Sequence, residues 1–161
     1  MGLRGAKTFG DSGASRMDNT RQSRSIDPVY ITAAGAYLPG APVGNDRIET
    51  VLGLIDGKPS RLKHRILKSN GITTRHYALD EDGRTTELNE ELAAKAVLRA
   101  LSQSGVALAD VEMLAAGTTQ GDVPIPGFAS MVHGRLGGGP MEILSAGGVC
   151  SASMAALVGA Y

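Results

Sequence analysis

The chain holds one cysteine, in the stretch "SAGGVCSAS" at residues 145–153. Small residues surround Cys150, an apolar run precedes it and a helix-like pattern follows it. That placement predicts a sulfur held where a strand ends and a helix begins. The first amides of a helix have no internal partner and point outward. The helix dipole adds about half a positive charge at the same end. A sulfur in such a position is favoured as thiolate and therefore as a nucleophile. The same amides can stabilise an oxyanion on a thioester carbonyl. Gly147 and Gly148 let the backbone turn sharply and leave room for a substrate, and Ser151, Ala152 and Ser153 keep the start of the helix narrow. The competing reading is burial, because a free cysteine most often fills space as a small hydrophobe.

A nucleophilic cysteine also needs a base or an electrostatic partner. The chain has three histidines. His64 lies in a basic stretch and reads as solvated, His76 in "TTRHY" reads as the edge of a strand or loop, and His133 in "SMVHGRLG" reads as helical. No local spacing ties any of them to Cys150. No Cys/His cluster has metal-ligand spacing. The second candidate for chemistry is the basic stretch "KPSRLKHRILKSNG", with Lys58, Arg61, Lys63, His64, Arg65 and Lys68. It reads as a solvated helical face or as a docking surface for a phosphate-bearing or acidic carrier.

The elements that must position these groups follow from pattern. In "PVYITAAGAYLPG", Val29 to Thr32 favour a strand that Pro39-Gly40 ends. "VGNDRIETVLGLIDG" predicts a short helix capped by Asn45, with Ile48, Val51, Leu52 and Ile55 as its apolar stripe. "TTELNEELAAKAVLRALSQSG" is the clearest helix, with Thr85 or Thr86 as cap and Gly105 as stop. Its predicted buried stripe is Leu88, Leu92, Ala96, Val97, Ala100 and Leu101. "VEMLAAGTT" and "MEILSA" read as buried strands, and "PGFASMVHGRLGG" and "CSASMAALVGAY" as helices. In the last of these Met154, Leu157, Val158 and Tyr161 share one face. Strand and helix alternate, which predicts an α/β fold with a largely parallel sheet.

Composition narrows the function classes. Hydrophobic residues make up 42% and charged residues 20% of the 161, as in a globular domain. Lysine plus arginine balance aspartate plus glutamate at 16 each, so overall charge asks for neither nucleic acid nor an anionic membrane. The single cysteine excludes an intrachain disulfide, which suits a reducing cytoplasm. No apolar run approaches transmembrane length, and the start of the chain lacks the apolar core of a secretory signal. Residues 1–26 are rich in Gly, Ser, Arg and Asn and predict a disordered tail.

Taken in order, the segments "ITAAGAYLPG", "NGITTRHYA", the helix at 86–103, "AAGTTQGDVPIPGFAS" and "EILSAGGVCSASMAAL" resemble the N-terminal half of beta-ketoacyl synthase III and its relatives in the thiolase superfamily. The resemblance covers residues 29 to 161. It implies a thiolase-like fold in which residues 27–161 form the N-terminal half, with a mixed, largely parallel sheet and helices on both faces. The C-terminal half, with the His and Asn that promote decarboxylation, would lie outside this chain.

The family chemistry then gives each residue a role. Cys150 would take an acyl group from a thioester, with its own N–H in the oxyanion hole and Gly148 and Ser151 beside the substrate. A second thioester, usually malonyl, would lose carbon dioxide and attack the acyl-enzyme to give a beta-ketoacyl product. Ile125 falls where the family reaches across a dimer to shape the partner's acyl pocket, and the strand at 141–146 would lie at or near that interface. Housekeeping members hold the coenzyme A adenine between a Trp and an Arg. Those positions fall at Arg65 and Ser69, and the chain has no Trp. The resemblance therefore implies an acyl donor on carrier protein, docked at Arg61, Lys63, Arg65 and Lys68. It implies no cofactor beyond the phosphopantetheine of acyl carrier protein or coenzyme A that delivers substrate. The implied assembly is a homodimer or a complex with a chain supplying the other half, without nucleic acid or membrane. Two alternatives stand beside it: a non-catalytic subunit of a thiolase-like heteromer, and a secondary-metabolite ketosynthase making dialkylresorcinol-type precursors. An unrelated α/β binding domain with a structural cysteine is a further possibility.

Overall fold

The computed structural model describes residues 28–161. The expectation of a disordered tail at 1–26 falls outside the described residues. In chain order the elements are β1 (Val43–Gly44), α1 (Ile48–Leu52), α2 (Lys63–Asn70), β2 (Thr74–Arg75), α3 (Asn89–Ser104), β3 (Met113–Gly117), α4 (Phe128–Leu136), β4 (Glu142–Ala146) and α5 (Ala152–Ala160). β3 and β4 pair in parallel, Met113 opposite Glu142 through Gly117 opposite Ala146. β1 and β2 form a separate antiparallel pair. The predicted α/β alternation therefore holds, but the strands form two small sheets, one parallel and one antiparallel.

Side-chain alternation shows how the helices flank the parallel pair. Leu114 and Ser145 point to one face, where Leu114 meets Val132 of α4 and the Ser145 hydroxyl accepts from the Ala129 amide at 2.9 Å. Leu144 and Gly117 point to the other face, against Gly159 and Ala152 of α5. Helices thus cover both faces. Ser145 acts as a long-range cap for α4, because Gly127 in the cap position offers no side chain. The core is Ala94, Leu114 and Val132, ringed by Ala93, Val97, Phe128, Leu136 and Met141. Arg135 ties α4 to α3 by reaching Glu90 at 3.0 Å and Glu91 at 3.2 Å.

Several local expectations need correction. β3 and β4 form as strands but are not buried ones: only Leu114 is buried, and Glu142, Ile143 and Ser145 are exposed. Val29 to Thr32 form no strand. Among the described residues nothing pairs with them, and strand propensity without a partner leaves extended, exposed chain. Asn45 does not cap α1. Its amide donates to the Ile72 carbonyl at 2.9 Å and its oxygen accepts from Arg75 at 2.7 Å, which pins β2 to β1. Thr85 and Thr86 do not cap α3 either. The Glu91 carboxylate accepts from the Leu88 amide, and Asp122 accepts from the Asn89 amide, both at 2.8 Å. The α3 stripe is also rotated. Ala94 is its buried centre, Leu92, Ala96, Val97, Ala100 and Leu101 are half-buried, and Leu88 is exposed.

The segment before β1 crosses α3 where Gly35 lies. A Cβ at Gly35 would stand 2.4 Å from the Ala100 nitrogen, so only glycine fits this approach. Tyr37 then anchors the crossing. Its hydroxyl donates to Glu87 at 2.7 Å, and Lys95 and Arg99 lie 4.8 and 4.9 Å from its ring centre. Arg99 also donates to the Ala36 carbonyl at 2.7 Å.

Hydrogen bonds from Lys95 first, and from Tyr37 next, hold the Glu87 carboxyl below its usual value of 4.5. The Glu87 bond to Lys95 likewise raises the lysine above its usual 10.5. A lowered carboxyl stabilises the fold above its unfolded value, and that contribution disappears as pH falls through the folded value. The melting-temperature gap between the native chain and Glu87→Gln is therefore expected to be constant from pH 6 to 9 and to close as acid protonates Glu87. A gap that persists unchanged to pH 2 would show that the charge of Glu87 contributes nothing.

Candidate active site around Cys150

The site is built where β3 and β4 end and α5 begins. β4 runs to Ala146, two glycines follow, and Val149 to Ser151 form one 3₁₀ turn that leads into α5. Gly148 has φ +123°, a conformation that side chains disfavour, and it aims the turn. The Ser151 amide closes the turn on the Gly148 carbonyl at 3.0 Å. Cys150 is exposed and in no disulfide, at the mouth of the helix. The burial alternative does not hold.

Cys150 forms one wall of an open cleft of about 700 Å³. Gly117 to Asp122 form the facing wall, and Asn89, Ala152 and Ser153 complete it. The wall is placed by close packing. A Cβ at Gly117 would lie 2.4 Å from the Ala152 carbonyl oxygen and 2.7 Å from the Ser153 nitrogen. Both are backbone atoms, so the end of β3 touches the first turn of α5 only because residue 117 is glycine. Two side chains then hold the loop. The Thr119 hydroxyl donates to the Val149 carbonyl at 2.7 Å, joining the loop to the residue before the cysteine. Asp122 accepts from the Asn89 backbone at 2.8 Å and side chain at 3.0 Å, joining the loop to the start of α3.

The other sequence candidates are dispersed. Gly148 and Ser151 shape the turn, and Ile125 is exposed beyond the cleft wall. None of the three histidines lines the cleft. His64 is exposed on α2, His76 donates to the Pro39 or Gly40 carbonyl at 3.1 and 3.2 Å, and His133 donates to the Gly139 carbonyl at 2.9 Å. Arg61, Arg65 and Lys68 are exposed at or along α2, whereas Lys63 is paired with Glu49. That pairing, with a further bond from the Ser60 amide, lowers the Glu49 carboxyl below its usual value. Reasoning from sequence missed Gly117, Thr119, Asp122 and Asn89. Their signal is the run of hydrogen-bonding residues Thr118, Thr119, Gln120, Gly121 and Asp122 directly after a strand, but their partners lie far away in sequence.

No family model matches the chain. The curated beta-ketoacyl-[acyl-carrier-protein] synthase III of Staphylococcus aureus (strain Newman) is 33% identical over 130 residues, which cover 81% of this chain and 38% of that protein. The solved structure of AbyA1, a tetronic acid condensing enzyme, matches with TM-score 0.67 and 31% identity, covering 80% of this chain and 39% of that one. The synthase III structure from Thermus thermophilus matches with TM-score 0.61 and 27% identity, covering 81% and 36%. Over about four-fifths of its length this chain is similar to beta-ketoacyl synthase III-like condensing enzymes of the thiolase superfamily. It spans well under half the length of the curated relatives it matches. The OleA structure from Xanthomonas campestris, at 19% identity and TM-score 0.62, shares the fold.

Thr119 gives a direct test of how the cysteine turn is held. Thr119→Val removes one neutral hydrogen bond, worth about 1 kcal/mol, and should speed amide exchange across residues 148–152. Thr119→Ser keeps the hydroxyl and should restore native exchange. Equal exchange in both variants would show that the bond does not hold the turn.

Proposed function

We propose that Cys150 is the acyl-accepting nucleophile of a condensing enzyme. One observation carries this reading: the only sulfur able to form a thioester is exposed at the start of α5 and faces a cleft large enough for a substrate. Its thiolate attacks the carbonyl of an incoming thioester. The resulting oxyanion is met by the Cys150 amide. The tetrahedral intermediate then expels the donor thiolate, which takes up a proton, and leaves the acyl group on Cys150. Condensation follows when a second thioester loses carbon dioxide and its carbanion attacks this acyl group, releasing the cysteine. The family resemblance assigns that decarboxylation to a His and an Asn outside the region matched here, so the acyl-transfer step is the one that this chain's own residues support. Ile125, exposed on the loop beyond the cleft, suits the role of reaching into a partner protomer's acyl pocket.

The donor in this reading is carried by acyl carrier protein, docking near Arg61, Arg65 and Lys68. The named relative is a beta-ketoacyl-[acyl-carrier-protein] synthase III. The likeness to a tetronic acid condensing enzyme supports a secondary-metabolite ketosynthase as the alternative reading.

Incubation with an acyl thioester of N-acetylcysteamine, and with the same acyl group on carrier protein, tests the proposal by intact mass. The expected result is one added acyl group, located at Cys150 by peptide mapping and absent from Cys150→Ser. A Cys150 left free by both donors would instead assign the chain to a non-catalytic subunit.

A further inference from the structure

The wall that faces Cys150 is not built for an alkyl chain. Asn89, Thr118, Thr119, Gln120, Asp122 and Ser153 all bring hydrogen-bonding side chains to the cleft, and among the described residues only Val149 and Ala152 line it with aliphatic ones. Thr118 donates to the Gln120 carbonyl at 3.0 Å and Thr119 to the Val149 carbonyl at 2.7 Å, which leaves each threonine oxygen free to accept. The Gln120 and Ser153 side chains are exposed, and neither bonds to a described residue. The wall therefore offers donors from Gln120 and Ser153 beside acceptors from Thr118, Thr119 and Gln120. Its one charge is the Asp122 carboxylate, and no cation among the described residues lines it.

These groups stand close to the sulfur. Thr119 bonds the residue before the cysteine, and Ser153 follows the cysteine by three residues. Side chains three apart in a helical turn share one side, with about 5–6 Å between Cβ atoms. The second and third carbons of an acyl group on Cys150 fall within that span. Alkyl carbons laid there would strip water from donors and acceptors and return no hydrogen bond. A hydroxyl both donates and accepts, so it matches both kinds of group. A carboxylate only accepts, and it would meet Asp122 with no cation beside it.

We infer that the cleft selects an acyl group with a hydroxyl on its second or third carbon, and that Gln120 and Ser153 read that hydroxyl. The inference rests on the acyl-transfer reading above for the bond that forms. The Cys150 sulfur bonds to the acyl carbon, the bond from that carbon to the donor sulfur breaks, and the departing thiolate takes a proton from water. The hydroxyl stays on the acyl group throughout.

Intact mass reads the rate at which the full chain is acylated at Cys150 by butyryl, 3-hydroxybutyryl and hemisuccinyl thioesters of N-acetylcysteamine. Each rate is divided by that of the same thioester with free N-acetylcysteine, which removes intrinsic reactivity. The 3-hydroxybutyryl rate is expected to exceed the butyryl rate about fivefold or more, with hemisuccinyl slowest. Gln120→Leu with Ser153→Ala, at two exposed positions, should bring that ratio to within about twofold of one, chiefly by slowing the hydroxylated substrate. Ethyl thioesters of the same acyl groups form a parallel arm, because the amide-bearing thiol is the other source of hydrogen bonds. A preference that survives there belongs to the acyl group. The inference is overturned by a preference confined to the amide-bearing thiol, by equal normalised rates, by a faster hemisuccinyl thioester, or by a ratio that the double variant leaves unchanged. Non-transferable amide analogues of the butyryl and 3-hydroxybutyryl thioesters give a readout without acylation, namely how far each slows iodoacetamide alkylation of Cys150. Stronger protection by the hydroxylated analogue with no acylation keeps the inferred selectivity and loses the nucleophile. Acylation without preference loses the selectivity alone, and neither acylation nor protection overturns both.

Discussion

The contact between Gly117 and the first turn of α5 is the constraint on which the site depends. With no side chain at residue 117, the end of β3 comes within van der Waals reach of the Ala152 and Ser153 backbone. That approach fixes where α5 starts relative to the parallel pair. It therefore fixes the turn at Val149 to Ser151 and the direction in which Cys150 faces. The cleft is the space left between that turn and the loop leaving β3. Thr119 and Asp122 span it from opposite ends, one holding the cysteine turn and the other the start of α3. Hydrogen bonds of this kind are individually modest, about 1 kcal/mol each, but they act on a turn whose position is already set by backbone packing.

The same economy of volume governs α5 as a whole. Ala152, Ala156 and Gly159 recur at i, i+4 and i+7 and form the seam against the sheet. Both alanines are buried, and Leu144 fills the space beside Gly159. The larger apolar residues Met154, Leu157, Val158 and Tyr161 lie on the opposite side and are exposed. A helix that meets a sheet through small residues can sit close to it, and here closeness brings its first turn to the end of β3. An apolar outer face is the kind of surface that marks an interface.

Much of this was legible in the sequence, for identifiable reasons. β3 and β4 read as short apolar runs, and α3 is long, periodic and stopped by Gly105, which takes φ +74°. The setting of Cys150 between two glycines and a helical pattern gave its place at a helix mouth. What failed was decided by partners distant in the chain. Val29 to Thr32 have strand propensity but no strand beside them among the described residues. Asn45 and Thr86 have the chemistry of caps, yet Asn45 is drawn to Ile72 and Arg75, and α3 is capped by Asp122 and Glu91. Periodicity found the apolar stripe of α5 but not which face meets the sheet, because alanine and glycine carry little weight in a hydrophobic pattern. Gly117 gives a hydrophobic pattern nothing to weigh, and its role depends on what stands 2.4 Å from a Cβ it lacks.

The central claim is that folding presents the Cys150 sulfur to solvent at the mouth of α5. Alkylation by iodoacetamide, followed by mass spectrometry on the native chain and on the chain unfolded in urea, tests it most directly. A presented sulfur should react in the native chain at a rate within about threefold of the unfolded one, or faster. A native rate lower by about a hundredfold or more would show that opening must precede reaction. That result would contradict the account, because the fold would then be hiding the sulfur.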